Sequence, residues 1–254
     1  MKRLLSFFLF CVLGVVGTLA QHPKLLLTKE ELGYMKQHMN EVPAFGRVVD
    51  DLLQKADEAC AAAIQIPTPV DGGGGAVHEQ HKSNYYAMFH AGLAYQYTGH
   101  KKYADFVAQM LMEYAQKYPK WGLHPVNLSP VPGRLFWQTL NESVWLVHTA
   151  MAYDCVYDAL SAKQRKFIEK NLLFNMADFI MNGYGDCKGN HEMFNRMHNH
   201  ATWATSAVGM VGMTTGNQSL VRKALYGTDE TGKKGGFLRQ MDHLFSPDGY
   251  YTEG

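Results

Sequence analysis

From residue 28 onward, apolar positions recur at three- and four-residue spacing in one stretch after another. That is the period of helices with one buried face. Thr28-Lys29-Glu30-Glu31 opens the first: the threonine can accept an early backbone N–H and Glu31 can reach back to the threonine's own. A second helical pattern covers residues 48–63 and closes at Pro67 and Pro69, and Gly72 to Gly75 then form a flexible loop. Residues 84–97 and 101–118 follow as a pair, split at Thr98-Gly99-His100, where glycine suits a left-handed helix stop. Residues 121–133, with Pro119 just before them, are proline-rich and predict a long irregular connection of the kind that shapes clefts. Helices resume over 140–160 and 161–182, the second opened by a Ser161-to-Gln164 capping box. A polar loop over 183–197 leads to a helix over 200–215 that stops at Thr215-Gly216-Asn217, echoing the earlier stop, and a further helix follows. Alternating runs are scarce, so the chain is predicted to be all-α, a barrel or solenoid of helical hairpins.

The N-terminus has a different pattern. Lys2 and Arg3 precede an almost wholly apolar run from Leu4 to Val16, and Thr18-Leu19-Ala20 supplies small residues for cleavage. A spanning helix needs about 20 apolar residues, and this run is shorter and lacks a basic stop. Residues 1–20 are therefore expected to be a cleavable signal peptide, with residues 21–254 working in the periplasm or outside the cell. Cys11 sits inside the apolar run rather than after it, against a lipoprotein site. No later stretch is long and apolar enough to span a membrane.

Losing Lys2 and Arg3 leaves 22 basic residues against 23 acidic ones, a net charge of about −1, which argues against a nucleic-acid partner. The remaining Cys60, Cys155 and Cys187 are odd in number, far apart and without C-x-x-C spacing, so buried thiols are expected, with one bridge left open. The glycine loop lacks the Gly-Lys-Ser/Thr ending of a phosphate loop. The closing Ser246-to-Gly254 segment reads as a loop rather than a domain end, so the sequence is expected to be a piece of a longer toroid domain.

Three segments concentrate polar chemistry. His191-Glu192-Met-Phe-Asn195-Arg196-Met-His198-Asn199-His200-Ala-Thr-Trp203 runs from a loop into a helix, whose N-terminus favours an anion. Zinc is a weak reading there, because the histidine spacing fits no compact pattern and His78-Glu79-Gln80-His81 is one residue short of H-E-x-x-H. Gly133-Arg134 through Trp145 leads out of the proline-rich connection. Its Gln138, Asn141/Glu142 and Trp145 recur at helical spacing and would share a face suited to a sugar. Asp248-Gly249-Tyr250-Tyr251-Thr252-Glu253-Gly254 places two tyrosines in a glycine-bounded loop. The Lys163–Lys170 charge run reads as a solvated helix face.

Asn199-His200-Ala-Thr-Trp203 before a helix ending in Thr-Gly-Asn resembles the central motif of the alginate lyase and heparinase II/III-like polysaccharide lyases. Gly133-Arg134…Gln138-Thr-Leu-Asn-Glu142, Pro247-Asp-Gly-Tyr-Tyr-Thr-Glu-Gly254 and the opening His22-Pro23-Lys-Leu-Leu-Leu-Thr28 are similar to further motifs of the oligoalginate lyase branch. The resemblance implies an incomplete (α/α) toroid followed by an antiparallel β-sandwich, of which only the toroid falls in this chain. It implies β-elimination in a uronate polymer: Asn199 would hydrogen-bond the carboxylate, and His200 would neutralise it or act as base. Arg134, Gln138, Glu142, Trp203, Tyr250 and Tyr251 would contact or line the substrate. The family's proton-carrying tyrosine would lie past residue 254. No cofactor is implied and no metal in this part, since the family's zinc sits in the β-sandwich. The partner would be an acidic oligosaccharide or polysaccharide, with alginate favoured over heparin-type chains. A toroid glycoside hydrolase, which would need a carboxylate pair drawn from Asp186, Glu192 and Glu142, and a non-catalytic carbohydrate-binding protein are the alternatives.

Overall fold

Capping and register account for most of the helix boundaries. In the computed structural model, residues 21–39, 41, 43–126, 128–183 and 189–252 are described. The expected signal peptide, Asp186, Cys187, Glu253 and Gly254 lie outside them. Helix α1 (Lys29–His38) begins at the expected capping box, with Thr28 Oγ1 accepting from the Glu31 amide and the Glu31 carboxylate accepting from the Thr28 amide. Helix α2 (Pro43–Ala61) starts earlier than the periodicity indicates, with proline in the first turn, where its missing N–H costs nothing. Helix α3 (Ala76–Thr98) also starts early. The Asp71 carboxylate reaches across the glycine loop to accept from the Val77 and His78 amides at 2.9 and 2.8 Å, a cap that sequence spacing does not reveal.

Helix α4 (Lys101–Lys117) follows the Gly99 stop, where φ is 72°. Helix α5 (Thr139–Val156) comes after the irregular connection and ends short of residue 160 in a 3₁₀ turn, Tyr157–Ala159. The expected helix over 161–182 is one run in three parts: α6 (Ala162–Ile168), a π turn (Glu169–Leu173) and α7 (Phe174–Asn182). The polar loop after it contains a short helix, α8 (Gly189–Phe194). Then come α9 (Asn199–Thr215), α10 (Gln218–Tyr226) and α11 (Phe237–Leu244). Among the described residues there is no strand, only an isolated antiparallel bridge between Phe245 and Tyr251.

The helices alternate between two layers. α3, α5 and α9 pack side by side, and α4, α6–α7 and α10 pack outside them as returning arms of three hairpins, an incomplete (α/α) toroid. The inner three run parallel. The Tyr85 ring stacks on His148 and Gly92 abuts Cys155, both 63 residues apart, while Thr214 donates to Asp154 60 residues earlier. Their N-terminal ends therefore gather at one end of the arc. α5, in the middle, is buried on almost every face. Leu140, Asn141, Val144 and His148 form its one partly exposed stripe. The core around it includes Trp145, Tyr114, Tyr118 and Phe136, all fully buried. Cys60 and Cys155 are both free thiols, so the bridge left open does not form between them.

The segment before α1 is tied to this core through one carboxylate. Asp154 accepts from His22 Nδ1 at 2.6 Å, from the Lys24 and Leu25 amides at 2.7 and 2.9 Å, and from Thr214 Oγ1 at 2.9 Å. The His22 ring stacks on Tyr157 at 3.7 Å. Burial alone would raise the Asp154 pKa, but the His22, amide and Thr214 hydrogen bonds outweigh it and hold it below 3.8. A depressed carboxylate stabilises the fold above its unfolded pKa, and that contribution is lost as pH falls through the folded value. Asp154→Asn is thus expected to lower the melting temperature at pH 7 and to flatten the decline in stability as pH falls below about 4. An acid limb as steep as that of the wild type would show that Asp154 does not carry it.

Candidate active site

The two polar clusters of the sequence meet at the gathered N-terminal ends of the inner helices. The 60-residue offset between α5 and α9 sets Thr139 level with Asn199. Thr139 Oγ1 donates to Asn190 Oδ1 at 3.1 Å, and Asn190 Nδ2 donates to the Phe179 carbonyl at 2.9 Å, so the start of α5 is fastened to α8. Gly189 is required there, since a Cβ would sit 2.2 Å from the Pro130 carbonyl oxygen. Asn195 holds the next loop: its side chain bonds the Thr228 amide and hydroxyl at 3.0 and 2.8 Å.

This bracing fixes the entry to α9. His198 is the N-cap, its Nδ1 accepting from the His200 amide at 3.2 Å. That bond requires an unprotonated Nδ1, so His198 is the Nε2–H tautomer in this geometry. The His198 and His200 rings meet edge to face at 4.7 Å. Asn199 is exposed on the first turn, His200 is half-buried beside it, and Trp203, one turn on, is 39% exposed. A carboxamide, an imidazole, an indole and the positive end of a 17-residue helix thus converge where an anionic sugar could dock. At the same level on α5 stand Gln138 and Asn141, both partly exposed and joined by a 3.0 Å hydrogen bond.

Two of the expected sugar contacts, Glu142 and Arg134, are turned inward in this structure. Glu142 is fully buried, and its carboxylate accepts from the Tyr118 hydroxyl at 2.7 Å and from the Arg134, Leu135 and Phe136 amides at 2.9, 3.0 and 3.3 Å. Burial pushes its pKa up, against the lowering effect of those bonds. Arg134 is only 4% exposed. Its guanidinium donates to the Trp121 and Tyr118 carbonyls and to Asn175 Oδ1, and lies over the Tyr118 ring at 4.4 Å. Gly133 permits the turn, because a Cβ would fall 2.2 Å from the Phe136 carbonyl oxygen and 2.7 Å from Glu142 Oε2. The Gly-Arg…Glu motif is a loop wrapped around a buried carboxylate. The face expected to unite Gln138, Asn141/Glu142 and Trp145 is split accordingly, with Glu142 and Trp145 turned into the core and Gln138 and Asn141 outward.

Tyr250 and Tyr251 lie on a tight turn after α11, closed by the Ser246 amide donating to the Tyr250 carbonyl at 2.8 Å. Tyr250 is 69% exposed, and Tyr251 packs edge-on against Phe245 at 5.2 Å. Sequence reasoning missed a buried polar cluster behind the inner helices. His81 Nδ1 and Asn84 Nδ2 both meet the Tyr114 hydroxyl at 2.8 Å, and burial depresses the His81 pKa to about 4, keeping it neutral. The early start of α3 brings His81 onto the same helix as Asn84, and the Asp71 cap that sets this start lies across a loop where local spacing does not show it. Among the described residues, no three His, Cys, Asp or Glu side chains are grouped to hold a metal ion, and no helix is long and apolar enough to cross a membrane.

A family model described as "Alginate lyase" matches residues 36–253. The chain is 43% identical over 233 residues to an exo-oligoalginate lyase of Saccharophagus degradans, covering 92% of this chain and 31% of that protein. It is 48% identical over 193 residues to an alginate lyase of Stenotrophomonas maltophilia, covering 76% of this chain and 25% of that one. It thus spans less than a third of the length of these relatives. The crystal structure of an alginate lyase from Bacteroides ovatus superimposes with a TM-score of 0.61 at 15% identity, over 91% of this chain and 69% of that chain, which shows a shared fold. With its fold shared and nearly its whole described length matched, the chain belongs to the alginate lyase family.

Proposed function

We propose that this protein is an exported polysaccharide lyase that cleaves uronate-containing oligosaccharide, alginate before heparin-type chains, by β-elimination. The observation that carries the reading is the family match over residues 36–253, which includes the exposed Asn199 and the neighbouring His200 at the start of α9. The signal-like N-terminus supports a periplasmic or secreted location, where soluble acidic oligosaccharides are met.

The chemistry has one central difficulty. Removing the C5 proton builds negative charge beside a carboxylate that is already negative. Asn199 donates to that carboxylate and the α9 N-terminus neutralises part of its charge, so the C5–H becomes more acidic. His200 completes the neutralisation or takes the proton. The C5–H electrons form the C4–C5 double bond, the bond from C4 to the bridging oxygen breaks, and that oxygen takes a proton from a general-acid tyrosine of the kind the family resemblance implies and leaves as a hydroxyl. Trp203 and Gln138 stand where they can hold the ring, and Tyr250 and Tyr251 contribute from the turn after α11.

The test is to incubate the protein with alginate and follow ultraviolet absorbance of the unsaturated uronate alongside new reducing ends. Both should rise together. Reducing ends without absorbance would make the protein a hydrolase, and neither signal would leave a binding protein.

A further inference from the structure

We propose that the open groove between α4 and α6 is a second binding site for anionic polysaccharide, in the outer layer and separate from the Asn199 end of the inner helix α9. The groove encloses about 660 Å³. Lys163, Lys166 and Lys170 rim it at i, i+3 and i+7, which sets all three on one side of the α6 run. All three are exposed, and none has a carboxylate partner among the described residues.

Other lysines, Lys223 and Lys233 among them, also lack such a partner; what sets the groove apart is that three of them share one side of one helix. Elsewhere Lys29, Lys55 and Lys82 pair with Asp158, Asp51 and Glu79 at 2.9, 2.6 and 2.8 Å, and Lys101 and Lys102 pair with Asp105 and Asp57. The carboxylates nearest in sequence to the groove are engaged by neutral donors: Glu169 by the Tyr153 hydroxyl at 2.6 Å and Glu113 by Gln109 at 3.3 Å. Three like charges on one helix side repel each other, and an anionic ligand would relieve that repulsion.

The rest of the lining fits a sugar chain. Met112 and Phe167 form an apolar floor, suited to the CH faces of a pyranose ring. Gln116 and Asn171 bring carboxamides to the walls, and the Asn171 amide group already donates to the Phe167 carbonyl at 2.9 Å, leaving its oxygen to accept. The π turn at Glu169–Leu173 falls at the Lys170 end of the groove, the kind of helix distortion that concentrates at functional sites. Along a helix, successive lysines at these spacings rise about 4.5 and 6 Å, comparable with the advance per sugar ring in a 1,4-linked uronate chain. A concave wall of amides and cations suits a threaded polyanion better than a flat lipid surface.

This inference takes its ligand class from the proposed function, and the experiment separates the two. Mobility is measured in native gels cast with alginate, with neutral dextran, or with neither, for the wild type and for the triple variant K163Q/K166Q/K170Q. The variant should fold normally, as all three side chains are exposed. Its retardation by alginate should weaken about tenfold, the combined effect of three exposed ion pairs. Turnover of an alginate trisaccharide, too short to reach both sites, should stay within about twofold of wild type. Unchanged alginate retardation in the variant overturns the groove while leaving the lyase reading intact. Weakened retardation with no unsaturated product from the wild type upholds the groove and sinks the lyase. Loss of binding to anionic phospholipid vesicles, with alginate retardation unchanged, makes the groove a membrane contact and overturns the proposal.

Discussion

Replacing Glu142 with alanine is expected to cost about 4 kcal/mol of folding stability, while Glu142→Gln costs about 1–2 kcal/mol. The alanine variant strands four donors in a site with no water access: the Tyr118 hydroxyl and the amides of Arg134, Leu135 and Phe136. Each unsatisfied donor carries a desolvation penalty of about 1–3 kcal/mol, partly relieved by relaxation of the loop. Glutamine keeps one carbonyl oxygen for the three amides, and the Tyr118 hydroxyl can turn to accept from the new NH₂. Because the loop over 133–138 leads into α5 at the level of Asn199, the alanine variant should also lose activity per folded molecule. Urea unfolding followed by circular dichroism measures the first effect, and turnover normalised to folded protein the second. If Glu142→Ala unfolded within about 1 kcal/mol of wild type, the carboxylate would not be the centre of the loop.

Four segments carry the resemblance to the lyase family, and the structure divides them by what they do. The opening His22-Pro23 segment is the arm that Asp154 fastens to the core. The Gly133–Glu142 segment is the wrapped loop. Asn199-His200, and the outward Gln138 and Asn141 of the second segment, present polar groups at the open end of the inner helices. A sequence motif marks a position that tolerates little change, but a buried carboxylate saturated by amides tolerates as little as a catalytic one. Spacing alone could not separate Glu142 from Asn141, because adjacent positions on a helix point about 100° apart and the burial of α5 on nearly all sides was not apparent.

The helical hairpins were legible for a simple reason: glycine stops at Gly99 and Gly216 and capping boxes at Thr28 and Ser161 are local devices, written in four or five consecutive residues. The early start of α3 was not, because its cap comes from Asp71 across a loop. The π turn inside the 161–182 run was hidden as well, since it leaves the apolar period nearly unchanged. What the sequence left open about the site was its depth: which polar groups reach the surface depends on the parallel alignment of α3, α5 and α9, a property of the whole arc.

The largest effect on catalysis should come from His200. His200→Ala is expected to lower kcat/KM for alginate oligomers by about 10²–10⁴-fold, the range for losing a general base or a group that stabilises developing charge. Asn199→Ala should lower it by about 10²-fold, since one hydrogen-bond donor to the carboxylate is lost but the α9 N-terminus remains. Asn199→Asp should be worse than alanine, because it sets a second negative charge against the uronate. His198→Ala is the necessary control. It removes the N-cap bond to the His200 amide, costs about 1 kcal/mol of stability, and shifts the first turn without deleting a reacting group. His198→Asn, which restores a capping side chain, should recover most of the activity lost in the alanine variant, whereas no substitution at His200 that lacks a titratable ring should do so. The two histidines are neighbours in sequence and in space, so this rescue pattern is what separates positioning from chemistry. Activity within twofold of wild type in both Asn199→Ala and His200→Ala would remove the reaction from this end of the inner helices altogether.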